Sequence, residues 1–194
     1  MQRIQPYKYT YQILLNMRVS YLDLPEDDED IGETKEDVIF KEKFKLIVIG
    51  DRKVGKTSLI NRIHKNEFSI LYQPTNHIQI CSNVKVGDIN MDIWDIPPNM
   101  CKYYKVTALQ SDAIILMFDS DRKETLTNGI DLWKRLYEKL YTKYTPELWF
   151  VYRGHEIDPI EECHPDRLFK IDNMSRDGLL DLIFDIRCKL IKKY

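Results

Sequence analysis

Hydrophobic positions along this chain change period several times, and each change marks an element. Phe44–Ile49 is almost continuously apolar and predicts a buried strand. Leu59, Ile60 and Ile63 follow at helical spacing and predict a first helix over Ser58–Glu67, with a loop over 68–76. His77–Val84 alternates apolar with polar, and so does Ile89–Trp94 after the turn Val86-Gly87-Asp88. That pairing predicts an antiparallel hairpin at a sheet edge, where one strand face meets water. Ala113–Phe118 and Leu148–Tyr152 are unbroken apolar runs, as central parallel strands buried on both faces require. Between them Ile130, Trp133, Leu136, Tyr137 and Leu140 recur at helical spacing. Arg167–Ile171 predicts a last strand, and Asp177 a cap on a final helix carrying Leu179, Leu180, Ile183, Ile186 and Leu190. Strands alternating with helices predict an α/β fold of three layers around a mainly parallel sheet.

Ahead of this core the pattern differs. Residues 1–24 carry Tyr7, Tyr11, Leu14, Leu15, Val19 and Leu22 near helical spacing, which predicts an amphipathic helical extension ending before Pro25. Its apolar stripe packs on its own domain or on a partner. Residues 25–43 read as an acidic linker and 44–194 as the folded domain. Segment 25–37 holds eight acidic residues and one lysine. The net charge of −2 therefore divides into −7 there and +5 elsewhere, too little to argue for nucleic acid or a membrane surface. The four cysteines, Cys81, Cys101, Cys163 and Cys188, show no paired spacing, which favours reduced thiols in a cytoplasmic setting. No apolar run reaches membrane-spanning length, the first residues do not resemble a signal peptide, and Lys189–Tyr194 is not a prenylation box. The expectation is no prenyl anchor and at most indirect membrane contact.

The chemistry concentrates in Gly50-Asp51-Arg52-Lys53-Val54-Gly55-Lys56-Thr57, directly after the first strand. This is the phosphate-loop pattern G-x-x-x-x-G-K-[ST]. Two glycines let successive N–H groups turn toward one anion, and the helix behind them adds unpaired donors and the positive end of its dipole. Lys56 is expected to reach the β- and γ-phosphates, and the Thr57 hydroxyl to ligate Mg²⁺. Glu161, Glu162, Cys163, His164 and His155 fall close together but fit no zinc spacing, so they read as a polar loop. The abundant tyrosines, Tyr103, Tyr104, Tyr137, Tyr141 and Tyr144 among them, have no basic stripe beside them and do not read as a nucleic-acid platform.

The order of elements and motifs resembles a small GTPase of the Ras superfamily, Rab branch, over about residues 44–192. Gly50–Leu59 is similar to the Rab loop G-D-x-x-V-G-K-T-S-L, which assigns Gly50, Asp51, Arg52, Lys53, Val54, Gly55, Lys56, Thr57 and Ser58 to nucleotide binding. Tyr72-Gln73-Pro74-Thr75 resembles the first switch, and Trp94-Asp95 the start of W-D-T-A-G-Q. The resemblance thus implies Thr57, Thr75 and Asp95 around Mg²⁺, and a phosphate-loop small G domain with an antiparallel edge hairpin. Among divergent members the Rab-like proteins of cilia are similar, through Ile78-Gln79 after the first switch, the Pro74-Thr75 pair and the N-terminal extension.

The departures from the family shape the functional expectation. W-D-T-A-G-Q is here Trp94-Asp95-Ile96-Pro97-Pro98-Asn99. Pro98 has no N–H to offer the γ-phosphate, a loss of about 1.5–3 kcal/mol for a bond to a charged oxygen. Asn99 stands at the water-orienting glutamine position and is one methylene shorter, so no catalytic residue is assigned with it. Arg52 either crowds the γ-phosphate or neutralises its charge. The base-recognition motif N-K-x-D aligns with His155-Glu156-Ile157-Asp158, leaving Asp158 as the guanine acceptor or as an ordinary loop carboxylate. S-A-K becomes Asn173-Met174-Ser175, and the connection between the last two strands is short enough to shrink or delete a helix.

The resemblance therefore implies a Rab-like GTPase that binds GTP/GDP with Mg²⁺. It would act through protein effectors or a multiprotein complex in intracellular or ciliary trafficking, in the cytoplasm or at the cilium base. Hydrolysis is expected to be weak or absent. The rival is a pseudo-GTPase adaptor that binds partners without needing nucleotide; a nucleotide kinase or ATPase would need a lid or arginine set that the sequence does not display.

Overall fold

The chain's long apolar runs become the inner strands of one sheet. The computed structural model describes residues 43–103, 107–108, 110–139, 146–158 and 167–193. The expected N-terminal helix, the acidic linker up to residue 42, Leu140, three of the tyrosines and the loop 161–164 lie outside the described residues, as does most of the short connection before the last strand; Lys43, expected to end the linker, instead begins β1. In chain order the elements are β1 (Lys43–Gly50), α1 (Lys56–Lys65), β2 (Gln79–Val86), β3 (Ile89–Asp95) and a 3₁₀ segment (Pro98–Tyr103). β4 (Ala113–Asp119), α2 (Lys123–Lys139), β5 (Glu147–Arg153), β6 (Leu168–Lys170) and α3 (Leu179–Lys193) complete them.

Six strands line up in the order β2-β3-β1-β4-β5-β6, and every neighbouring pair is parallel except β2 with β3. Alternation along each strand splits the core between two faces. Leu46, Val48, Ile115, Met117, Trp149 and Val151 point to the layer that holds α1 and α3. Ile47, Ile49, Ile114, Leu116, Phe118 and Phe150 point to the layer with α2, where Ile130 and Leu136 close over them. The expected three-layer α/β fold is the observed one.

Boundaries shift where local chemistry decides them. α1 starts at Lys56, two residues before the expected Ser58, because Gly55 adopts φ 101° and serves as its N-cap. It ends at Asn66, whose left-handed φ of 61° lets its N–H bond the Arg62 carbonyl. β2 starts at Gln79 rather than His77, and a register shift between Cys81 and Val84 interrupts its alternation, with Asn83 at φ 58°. Asp177 is not the cap of the last helix. Its carbonyl instead accepts from the Asp172 N–H at 3.0 Å, and Gly178, at φ 72°, makes the turn into α3. A Cβ there would run into the Lys170 carbonyl, so the position needs glycine. Among the described residues no helix is long and apolar enough to cross a membrane.

Candidate functional site

The parallel strands end together, and the residues that close them are charged or glycine: Gly50 on β1, Asp95 on β3, Asp119 on β4, Arg153 on β5. Open α/β sheets bind ligands at this edge. Gly50 has φ 141°, and a Cβ on it would collide with the Met117 carbonyl of β4, so only glycine turns the chain here. The loop then reaches Gly55, which gives α1 no side-chain cap. The N–H donors of that first turn are left for an anion.

Lys56 is buried, and its ammonium donates to the Gly50 carbonyl at 3.0 Å and the Asp51 carbonyl at 2.8 Å. Burial pulls its pKa down to about 8, against the opposing pull of Asp95 and Asp51. A phosphate would supply the countercharge that burial withholds. α2 and the residue before it grip the loop from the other side: Arg122 Nη2 donates to the Arg52 carbonyl at 3.0 Å, and Asn128 Nδ2 to Asp51 Oδ2 at 2.8 Å. Lys53 takes φ 60° and sets its ammonium over the Tyr72 ring at 5.4 Å. Arg52 and Ser58 line the cavity in front of the loop, whereas Val54 is buried in the core and can contribute only backbone.

Thr57, Thr75 and Asp95 come together as the resemblance implied. The Thr57 and Thr75 hydroxyls share a hydrogen bond of 2.8 Å, and Thr57 donates to Asp95 Oδ2 at 2.5 Å. Asp95 is 2 % exposed, and its other oxygen, Oδ1, is buried with no hydrogen-bond partner. Burial raises its pKa, partly opposed by Thr57, Lys56 and Thr75. A buried carboxylate oxygen without a donor, beside two hydroxyls, is a set of hard oxygens that Mg²⁺ accepts. The residues present fit that ion: Thr57, Thr75 and Asp95 would hold it, and it would neutralise phosphate charge.

The second-switch departures have their own geometry. Pro97 and Pro98 line the same cavity, which measures about 360 Å³. Asn99 is exposed, and its amide donates to the Asn76 carbonyl at 3.2 Å, tying the 3₁₀ segment to the first-switch backbone.

At the base-recognition end the structure regroups the expected residues. Asp158 is exposed and is not among the residues lining the described cavities. His155 Nδ1 lies 2.6 Å from Asp121 Oδ1. Glu156 accepts from the Tyr152 hydroxyl at 2.9 Å and from Lys170 at 2.8 Å. These two therefore brace the loop after β5 through partners of their own. Burial and then Glu156 push the Tyr152 phenol up to about 12. Sequence reasoning missed Arg153, whose Nε and Nη2 donate to Asp119 Oδ2 at 3.2 and 2.8 Å, and Arg122, which donates to the same oxygen at 3.1 Å. The available signal was a charged residue ending each of two apolar runs.

Strand order, phosphate loop and hydroxyl–carboxylate cluster together define a phosphate-loop small G domain. Residues 45–152, more than half of the chain, match the family described as Ras of Complex (Roc), domain of DAPkinase. The chain belongs to this family of Ras-superfamily GTPase domains. It is similar to the Rho-related protein racE of Dictyostelium discoideum, 29 % identical over 129 residues, 64 % of this chain and 56 % of that protein. The human Rho-related GTP-binding protein RhoE is 30 % identical over 96 residues, 47 % of this chain and 39 % of that one. The Ras-related protein RABG1 of Arabidopsis thaliana is 27 % identical over 128 residues, covering 61 % and 60 %. The chain thus spans about half the length of these curated relatives.

Proposed function

We propose that the chain is a divergent small GTPase that binds GTP or GDP with Mg²⁺ and acts through protein partners, with slow or no hydrolysis. The observation that carries this reading is the orphaned Asp95 Oδ1, buried beside Thr57 and Thr75 at the foot of the phosphate loop. Lys56, Thr57, Ser58 and the loop N–H groups would hold the phosphates. Pro98 and the engaged amide of Asn99 favour slow turnover, because neither supplies the group the family uses to sense or attack the third phosphate. Protein purified without added ligand is expected to carry GDP or GTP. Calorimetry is expected to find tighter GDP binding in Mg²⁺ than in EDTA, and Lys56→Ala to weaken it at least tenfold. Absence of GTP and GDP binding with and without Mg²⁺ would sink the reading.

A pseudo-GTPase adaptor is the second reading, and the Asn99–Asn76 bond favours it because it joins the two switch segments through protein atoms alone. Partner recovery that is indifferent to both Lys56→Ala and added nucleotide would establish it. The finer assignment, to ciliary or other intracellular trafficking at the cytoplasm or cilium base, rests on Ile78-Gln79 and Pro74-Thr75. In ciliated cells a tagged protein that never concentrates at the cilium base would remove the ciliary part.

A further inference from the structure

α3 carries apolar residues on two sides, and only one of them meets the core. Leu179, Leu182, Ile186 and Leu190 are buried against the sheet. On the outward side Leu180 and Phe184 are 54 % exposed and Ile191 is 42 % exposed. On a regular α-helix these three fall within an arc of about 40° and a length of roughly 16 Å. Single exposed apolar side chains are ordinary, but a contiguous stripe along one helix face marks an interaction surface. Charge is divided along the same face. Asp181 flanks the stripe at its N-terminal end and Lys192 at its C-terminal end, and both are exposed. Helical spacing puts them on the same side of the stripe. Arg187 lies on the opposite side near the middle, and its charge is already matched. Its Nε and Nη2 donate to the Asp88 carboxylate at 2.6 and 2.8 Å.

We propose that this stripe is self-complementary, and that through it α3 packs antiparallel on α3 of a second copy of the chain. The charge pattern selects that occupant. A two-fold axis between two such helices reverses their direction and sets each flank beside the same flank of the other copy. Leu180 then stands opposite Ile191 of the second copy, Phe184 opposite Cys188, and Asp181 opposite Lys192. All three pairs are centred within one residue of Ile186, so a single register satisfies the apolar stripe and the charges together. A parallel pairing would instead bring Asp181 to Asp181 and Lys192 to Lys192, which like-charge repulsion disfavours. Near the axis the two copies bring their Arg187 side chains close, and each Asp88 carboxylate offsets that repulsion. The contact is small, one 15-residue helix from each copy, which places it at the low end of specific interfaces and makes the dimer reversible. Leu180, Phe184 and Ile191 line neither described cavity, so the pairing does not rest on the nucleotide reading above.

Analytical ultracentrifugation of the full-length protein tests this over about 1–500 μM, a range that brackets the dissociation constant of a small interface. Wild type is expected to pass from monomer to dimer with a midpoint on the order of tens of micromolar. Phe184→Asp is expected to weaken the dimer about tenfold or more, since it places a charge at the centre of the stripe. Asp181→Lys and Lys192→Asp are each expected to weaken it by severalfold, and the double variant carrying both exchanges to restore it. That restoration belongs to an antiparallel self-contact, because a partner of any other kind keeps its own charges when this chain's are exchanged. Thermal melts confirm folding, and the exposed charge variants decide the matter should Phe184→Asp unfold. Wild type that stays monomeric throughout overturns the proposal and leaves the stripe to a different protein. A dimer that Phe184→Asp leaves at full strength places self-association elsewhere and overturns it too. Single charge variants without effect, or a double variant no better than the singles, overturn the antiparallel register.

Discussion

Asp119 shows how one carboxylate can organise a functional edge without touching a ligand. Burial alone would raise its pKa, but Arg153 and Arg122 outweigh burial and hold it below the ordinary carboxylate value. The groups facing it are Arg153 on β5, Arg122 just before α2, and the N–H of Asp121 at 3.2 Å. A depressed folded-state pKa makes its contribution fully present above the unfolded value of about 3.9, and lost as pH falls through the lower folded value. Asp119→Asn is therefore expected to flatten the acid limb of a stability–pH curve below about pH 4. At neutral pH it should cost about 1–2 kcal/mol, because both arginines keep solvent contact and the pair is worth less than a fully buried one. Urea unfolding at pH 3 and pH 7 checks both. Equal losses at the two pH values would remove the carboxylate's titration from the explanation.

Between elements, the junction of β6 with α3 places the strictest demand on a single residue. β6 has only three residues, and the chain must pass from it into α3 through Gly178, which faces the Lys170 carbonyl. Gly178→Ala is expected to destabilise the domain by on the order of 3 kcal/mol, since it combines a left-handed backbone with a collision against main chain. For a domain of this size that is roughly 6–12 °C in Tm, readable by scanning calorimetry. A loss of under 1 °C would mean the turn relaxes freely. The same junction marks where sequence reasoning stopped. Strands buried on both faces were legible, because Ala113–Phe118 and Leu148–Tyr152 had no alternative use for so many apolar side chains in succession. The cap of α3 was not legible, because Asp177 satisfies a cap rule locally while the choice between it and Gly178 depends on a carbonyl seven residues away on β6. β2 was legible as an edge partner of β3 but not in its register, since the bulge between Cys81 and Val84 is fixed by pairing with β3.

At the scale of the whole molecule the phosphate loop, Thr75 and Asp95 were readable because a motif keeps its chemistry in one stretch or at one strand end. That Arg153 and Asn173 both lie against Gly55 was not readable, because twenty residues separate them along the chain and only the parallel pairing of β5 with β6 brings their loops to the same edge. Arg62 then ties that edge together. Its guanidinium reaches the carbonyls of Asn66, Asn173 and Met174, so one side chain rooted in α1 spans two loops. This has a kinetic consequence. A nucleotide held in the cavity that the phosphate loop and the loop after β6 both line would leave only as that second loop lifts from α1, and Arg62 holds it there. Residence time and the amide-exchange rates at 173 and 174 should therefore move together, and Arg62→Ala should shorten the first while speeding the second.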